Sequence, residues 1–275
     1  ADQQMNNAEL MSLGYIDAKN VTFDGNRIVL DVDRLNQKTN GNYHVTIQRT
    51  TNTDRDFNLV LGTKDASQSL TGQIQVFQYG SADTNIQEHT YQWIHNADEL
   101  GNIDLQKNYA LRNAIDVTGK SFTSIGSEGK EFKGKLDGLG NNIFGLTGAQ
   151  GLFGVTDGAK IGHFNLIAGT TGVSINGTGK EYTGALIGYA KNTHVEDVTN
   201  TLDVTGTTNV GGLVGKAENS YFYNVINTGH ISGHKDVGGI IGNMSGGTLG
   251  EGENTSDAVN VSHNMGKVEG INDRT

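Results

Sequence analysis

The chain has 275 residues, no cysteine, no proline, 40 glycines and a formal net charge of −10. Without cysteine it has no disulfide and no zinc–thiolate site, and the acidic balance argues against nucleic acid and anionic membrane surfaces as partners. No run of about 18 apolar residues occurs, so no helical membrane insertion is expected, and glycine without a Gly-X-Y period excludes collagen.

Residues 1–12 read as a polar lead-in. From 13 to about 80 the chain alternates apolar and polar residues in short runs, at 15–18, 21–23, 27–32, 43–47, 57–61 and 72–77. That period of two predicts half-buried strands. Asp24-Gly25-Asn26 and Asn40-Gly41-Asn42 supply turn chemistry between them. Asp31 and Asp33 alternate on one expected strand face, and Asp54 and Asp56 flank Arg55; both pairs read as solvated charge. At Trp93 the character changes. Trp93 is expected to pack rather than bind, and Asn96 is placed to cap a helix of one or two turns. Further strands are predicted at 109–111, 115–117, 122–126, 132–136 and 143–146, with a turn over 137–142. Two stretches follow, 1–92 of irregular β-helical coils and 93–275 of regular ones, continuous with each other.

The regular part is built on a returning phrase. It reads Gly151-Leu152-Phe153-Gly154, Gly184-Ala185-Leu186-Ile187-Gly188, Gly211-Gly212-Leu213-Val214-Gly215 and Gly238-Gly239-Ile240-Ile241-Gly242. Its closing glycines stand 34, 27 and 27 residues apart. A period of this size marks a stacked repeat. Each unit has an apolar strand start (Ile161, Val195, Phe222, Val259), an Asn-centred bend (Asn200, Asn227, Asn264) and a short strand closing on glycine. Residues 245–254 read as an insertion that loops out. Three short strands per unit predict an all-β chain, a right-handed parallel β-helix (solenoid) of about ten coils stacked about 4.8 Å apart. Aligned Asn residues are expected to form a hydrogen-bonded ladder. Proline's absence suits the fold, because each coil donates its N–H groups to the next.

The phrase and the unit that follows it resemble the GLUG repeat of secreted bacterial adhesins and immunoglobulin A peptidase-type surface proteins. Trp93-Ile94, Glu99-Leu100, Tyr109-Ala110-Leu111 and Phe132-Lys133-Gly134-Lys135-Leu136-Asp137-Gly138 match what precedes such repeats. Residues 13–80 look like the coils of filamentous haemagglutinin-like, two-partner-secreted exoproteins, and the nearest picture is a high-molecular-weight adhesin. The resemblance implies a secreted, cell-surface virulence protein, exported through an outer-membrane partner and attaching to host cells. The chain begins at Ala1 without a signal peptide and ends inside what reads as another repeat, so a piece of a longer protein is expected. Five Asn-X-Ser/Thr sequons, at Asn20, Asn176, Asn243, Asn254 and Asn260, are candidates for modification; a chain rich in Asn, Thr and Ser also makes them by chance.

No enzyme is expected. Gly-x-Ser-x-Gly, a Walker loop and His-Glu-x-x-His are absent. A groove lined by three or more carboxylates would favour the alternative, a polysaccharide-degrading β-helix enzyme. No metal and no cofactor are expected: His230 and His234 sit on strand and bend, and the glycines of 246–253 lack the Asp of a calcium-binding repeat. Asp137 to Asn142 offers calcium-type oxygen ligands without other support. The sharper expectation is a glycan site. If Phe222 points inward, Tyr221 and Tyr223 point outward together, and exposed aromatics stack on sugars or anchor proteins. Lys216, His230, His234 and Lys235 lie in the same or adjacent coil and suit an anionic sugar such as sialate. The other readings are that the tyrosines merely cover a lateral groove, and that the chain is a structural stalk.

Overall fold

The structure, a computed structural model, describes residues 28–39, 45–49, 59–64, 74–78, 81–83, 86–169, 175–250 and 262–271. The strands expected at 15–18 and 21–23, both turns above, Asp54–Asp56, Val259 and the sequons Asn20, Asn254 and Asn260 lie outside them. Two compact units divide the chain: Ala1–Trp93 with Asn108–Ala110, and Ile94–Lys107 with Leu111–Thr275.

In the first unit, Ile28–Asp31 pairs in parallel with Leu59–Thr63, which pairs with the strand beginning at Thr90. Val29, Leu30, Val60 and Leu61 are buried there. A Cβ at Gly62 would overlap the Trp93 indole, so this glycine makes room for the buried tryptophan. The chain departs from the expected strand over 27–32. It turns into a helix at Val32–Thr39. Asp31 Oδ1 accepts the Arg34 N–H at 3.0 Å, which supplies an N-cap. Val32 and Leu35, three apart, are both buried. Asp33 therefore does not share a strand face with Asp31. Its two oxygens accept Thr63 Oγ1 and Lys64 N.

The second unit opens on the expected cap. Asn96 Oδ1 accepts Glu99 N at 2.9 Å, which caps helix Ala97–Gly101, and Glu99 Oε2 reaches back past the cap to accept His95 N at 2.6 Å. The rest is a parallel β-solenoid; the protein has about six turns against the ten expected. Dividing 275 residues by 27 counted every residue as coil, whereas the helices and the antiparallel pair Ile74–Gln78 with Ser81–Asp83 lie outside that pattern.

Three strand columns set the register. In the first, Leu136, Ile161, Val195, Phe222 and Leu249 stack in order. In the second, Phe153, Ile187, Val214 and Ile241 stack. Ile175, Val204, Ile231 and Val268 form the third. These residues fill the interior, and most are inaccessible to solvent. Leu249 and Val268, in the last described layer, are each 41% exposed because no described coil lies over them. Leu249 stacks on Phe222 in this column. Residues 245–250 continue the strand Ile241–Gly250 instead of looping out.

The corners explain the composition. Asn192 and Asn219 both have φ 47°, and Gly158 and Gly246 occupy the same corner in neighbouring coils. At the next corner His163, Asp197 and Asn224 have φ 62°, 53° and 47°. This left-handed region is costly for most L-residues and best tolerated by Gly, Asn and Asp. The Asn ladder also forms: Asn200 Nδ2 donates to Asn227 Oδ1 at 2.8 Å, and Asn227 Nδ2 to Asn264 Oδ1 at 2.7 Å.

Candidate functional site

The outward side of the first column carries two rows, because neighbours of an inward residue point the other way. Before the inward residue the row runs Lys135, Lys160, His194, Tyr221 and Thr248. After it the row runs Asp137, Gly162, Glu196, Tyr223 and Gly250. Phe222 is buried, as the alternation requires, and Tyr221 is 46% exposed. Tyr223 is half-buried, with its ring 5.4 Å from that of His194.

The other expected contacts lie elsewhere. Lys216 sits beyond the Asn219 corner, on the second column. Its Nζ is 3.0 Å from Glu218 Oε1 and 4.6 Å from the centre of the Tyr189 ring. His230 precedes the third-column strand Ile231–Gly233, and its N–H is held by Asp203 Oδ1. His234 and Lys235 follow that strand, both donating backbone N–H groups to Thr207 O. The side chains of the six residues thus start from three different columns and their connections. Of the described sequons, Asn176 is exposed and accepts Thr178 N and Oγ1, while Asn243 is half-buried.

Sequence reasoning missed a cluster at the lower end of the tyrosine rows. His163 Nε2 lies 2.9 Å from Asp197 Oδ2 and 3.5 Å from Glu196 Oε1. Its other nitrogen, Nδ1, lies 3.3 Å from Asp137 Oδ1. Asp137 is fully buried, and Leu139 N donates to the same oxygen at 2.9 Å. Asn224 Nδ2 donates to Asp197 Oδ1 at 2.8 Å. His194 Nε2 stands 3.8 Å from Glu196 Oε2. The Glu196 side chain is only 5% exposed, and its Oε1 is buried without a hydrogen bond. Three carboxylates therefore surround one imidazole.

The second column's outward side carries a different network. Tyr182 and Tyr189 pack with ring centres 5.4 Å apart, Lys191 pairs with Glu131 at 3.0 Å, and Tyr182 Oη donates to Glu128 at 3.3 Å. Burial and the nearby Glu128 charge push the Tyr182 hydroxyl up to about 12. Hydrogen bonds from Tyr189 and Lys216 hold Glu218 below its usual range. Each cation here has an anionic partner, which reads as structural ionic cover.

Glu131 in this network carries a pH prediction. Its own backbone N–H, the Lys191 ammonium and the Gly129 N–H hold its carboxyl down to about 2, against an ordinary 4.5. A carboxyl lowered on folding stabilises the folded state fully above its unfolded value and loses that contribution as pH falls through its folded one. Thermal stability should therefore fall as pH drops from 4.5 toward 2, and Glu131→Gln should flatten that stretch of the curve. Superimposable pH curves for the two proteins would refute the pairing.

A cleft of about 340 Å3 opens beside Thr118, Lys120, Ser121 and Thr147. Lys120 is held by Asp98 at 3.3 Å, and among the described residues no carboxylate lines the cleft. No helix of the described residues is long and apolar enough to cross a membrane. No family model, no curated protein and no solved structure matches the chain.

Proposed function

We propose that the chain is a binding segment of a secreted bacterial surface adhesin of the GLUG-repeat, two-partner-secretion type, attaching to host cells through a glycan. The observation that carries the reading is the outward tyrosine pair on a regular parallel β-solenoid. Tyr221 presents an open aromatic face in a row whose neighbours are His194 and Thr248. Aromatic faces stack on sugar rings and anchor protein partners. A shallow lateral row gives weak single contacts, and many copies on one cell raise the net affinity. An anionic sugar suits the imidazoles and ammonium groups of His230, His234 and Lys235, which the coil carries nearby in sequence. The exposed Asn176 sequon is the described position best presented for modification.

A second reading, a polysaccharide-degrading β-helix enzyme, draws on the three carboxylates around His163. Asp137 and Glu196 are buried, away from an extended substrate, and for that reason adhesion is placed first. A glycan array probed with the chain tests the proposal. Binding should appear and should fall about tenfold or more in Tyr221→Ala and Tyr223→Ala, the loss typical of removing an aromatic anchor. Glycan binding untouched by both substitutions would remove the tyrosine site. Binding to host cells without binding to any glycan would replace the glycan with a protein receptor.

A further inference from the structure

We propose that His163, Glu196 and Asp197 form a binding site for a divalent transition-metal ion of borderline softness, with Zn2+ as the representative. The site is independent of the adhesive reading.

The first ground is a departure from the repeat. Asp197 and Asn224 occupy the same left-handed corner as His163, and both are residue types that tolerate φ > 0. His163 takes the same corner at φ 62° and brings an imidazole where the following coils bring a carboxylate and an amide.

The second ground is spacing. One nitrogen and two carboxylate oxygens, one from each of the three residues, lie within 4.8 Å of one another, with Nε2 at 2.9 Å and 3.5 Å from its two oxygens. Two ligand atoms on a tetrahedral ion with bonds of about 2.1 Å sit about 3.4 Å apart. Only small shifts separate the cluster from that geometry.

The third ground is the outer shell. Metal-binding imidazoles commonly donate their second N–H to a carboxylate, which fixes the tautomer and aims the lone pair. Asp137 Oδ1, 3.3 Å from Nδ1 and pinned by Leu139 N, is placed for that role. Asn224 holds one oxygen of Asp197 and leaves Oδ2 facing the site.

The independent observation is Glu196 Oε1. It is buried, it accepts no hydrogen bond, and His163 Nε2 stands 3.5 Å away. A buried carboxyl oxygen left without a partner is costly, and a bound cation satisfies it. Asp197, 34% exposed, gives the ion a way in and leaves a position open to water. A nitrogen ligand with two carboxylates suits Zn2+ and its neighbours, whereas Ca2+ takes six to eight oxygens.

Calorimetry and thermal unfolding of chelator-stripped, tag-free protein titrated with ZnCl2 test the proposal. One Zn2+ per chain should bind at micromolar concentration or below and raise the unfolding temperature, while CaCl2 should do neither. His163→Asn keeps a residue suited to the corner and removes the imidazole; Glu196→Gln keeps the shape and removes the charge. Each should lose the Zn2+-dependent shift while unfolding, metal-free, near the parent's temperature. Asp137→Asn should weaken binding roughly 10–100-fold. No heat and no shift with the parent protein would overturn the site in favour of an imidazolium held by carboxylates. Zn2+ binding unchanged in both His163→Asn and Glu196→Gln would overturn it equally.

Discussion

A Gly215→Val protein is expected to lose at least ~3 kcal/mol of stability, at or beyond the upper end of what overpacking costs. Gly215 closes the third copy of the glycine phrase and stacks between Gly188 and Gly242. A Cβ there would lie 2.6 Å from Asn209 O and 2.7 Å from Gly188 O, and would overlap Thr183 N. All three are backbone atoms, two of them (Thr183 and the strand residue Asn209) from another side of the coil, so no side chain can swing away to make room. Gly242 meets the same situation one coil on, against Val210 N, Asp236 O and Gly215 O. The closing glycines therefore recur because two backbone layers touch at this column. Gly250→Ala is the control: among the described residues its Cβ would meet only Thr248 Cγ2, at 3.7 Å, and it should shift stability by about 0.5 kcal/mol or less. Chemical denaturation followed by circular dichroism reads both. A Gly215→Val midpoint equal to the parent's would contradict this account of the phrase.

Asn227→Leu is expected to cost about 3–5 kcal/mol, since several buried polar groups lose partners at about 1–3 kcal/mol each. Asn227 Oδ1 accepts from Asn200 Nδ2 and Gly229 N, and Nδ2 donates to Gly229 O and Asn264 Oδ1. The side chain is wholly buried and presses on Gly212, where a Cβ would overlap its amide. Leucine neither replaces the bonds nor fits as flatly against that glycine. Asn264, in the same ladder but exposed, sets the contrast: Asn264→Ala should cost only about 1 kcal/mol. The same denaturation series tests the gradient. Equal losses at the two positions would show that ladder membership, rather than burial, sets the energy.

Much of the second unit could be read in the sequence because a repeat measures itself. Once the glycine phrases were aligned, Ile161, Val195 and Phe222 fell into one column, and Asn200, Asn227 and Asn264 into another. The Asn96 cap and the packing role of Trp93 followed from local chemistry. Helix Val32–Thr39 was hidden because Val29, Leu30 and Val32 continue a strand-like apolar run; the signal for a stop was Asp31, whose carboxylate caps Arg34 N. Residues 245–250 looked like loop because of their glycines, yet Gly246 takes the left-handed corner that Asn192 and Asn219 hold below it. The His163 cluster was the hardest to see. Its carboxylates come from 137, 196 and 197, with no spacing motif. The legible signal was arithmetic: His163 and Asp197 stand 34 residues apart, as do Gly154 and Gly188, which places them at one corner. Tyr221 and Tyr223 were correctly separated from Phe222 by alternation, but half-burial of Tyr223 beside His194 depends on neighbours from another coil.

The parallel, in-register stack is the claim on which the rest stands, and a disulfide can test it directly because the chain has no cysteine of its own. Thr205 Oγ1 and Ser232 Oγ face each other at 3.0 Å in adjacent coils of the third column, and Asn176 pairs with Thr205 from the other side. A Thr205→Cys, Ser232→Cys protein should oxidise to an intramolecular disulfide, identified by mass spectrometry of the linked peptides. Asn176→Cys with Ser232→Cys, two coils apart at about 9.6 Å, should not, since disulfides need Cα atoms within about 7 Å. A link in the second pair, or none in the first, would contradict the solenoid register.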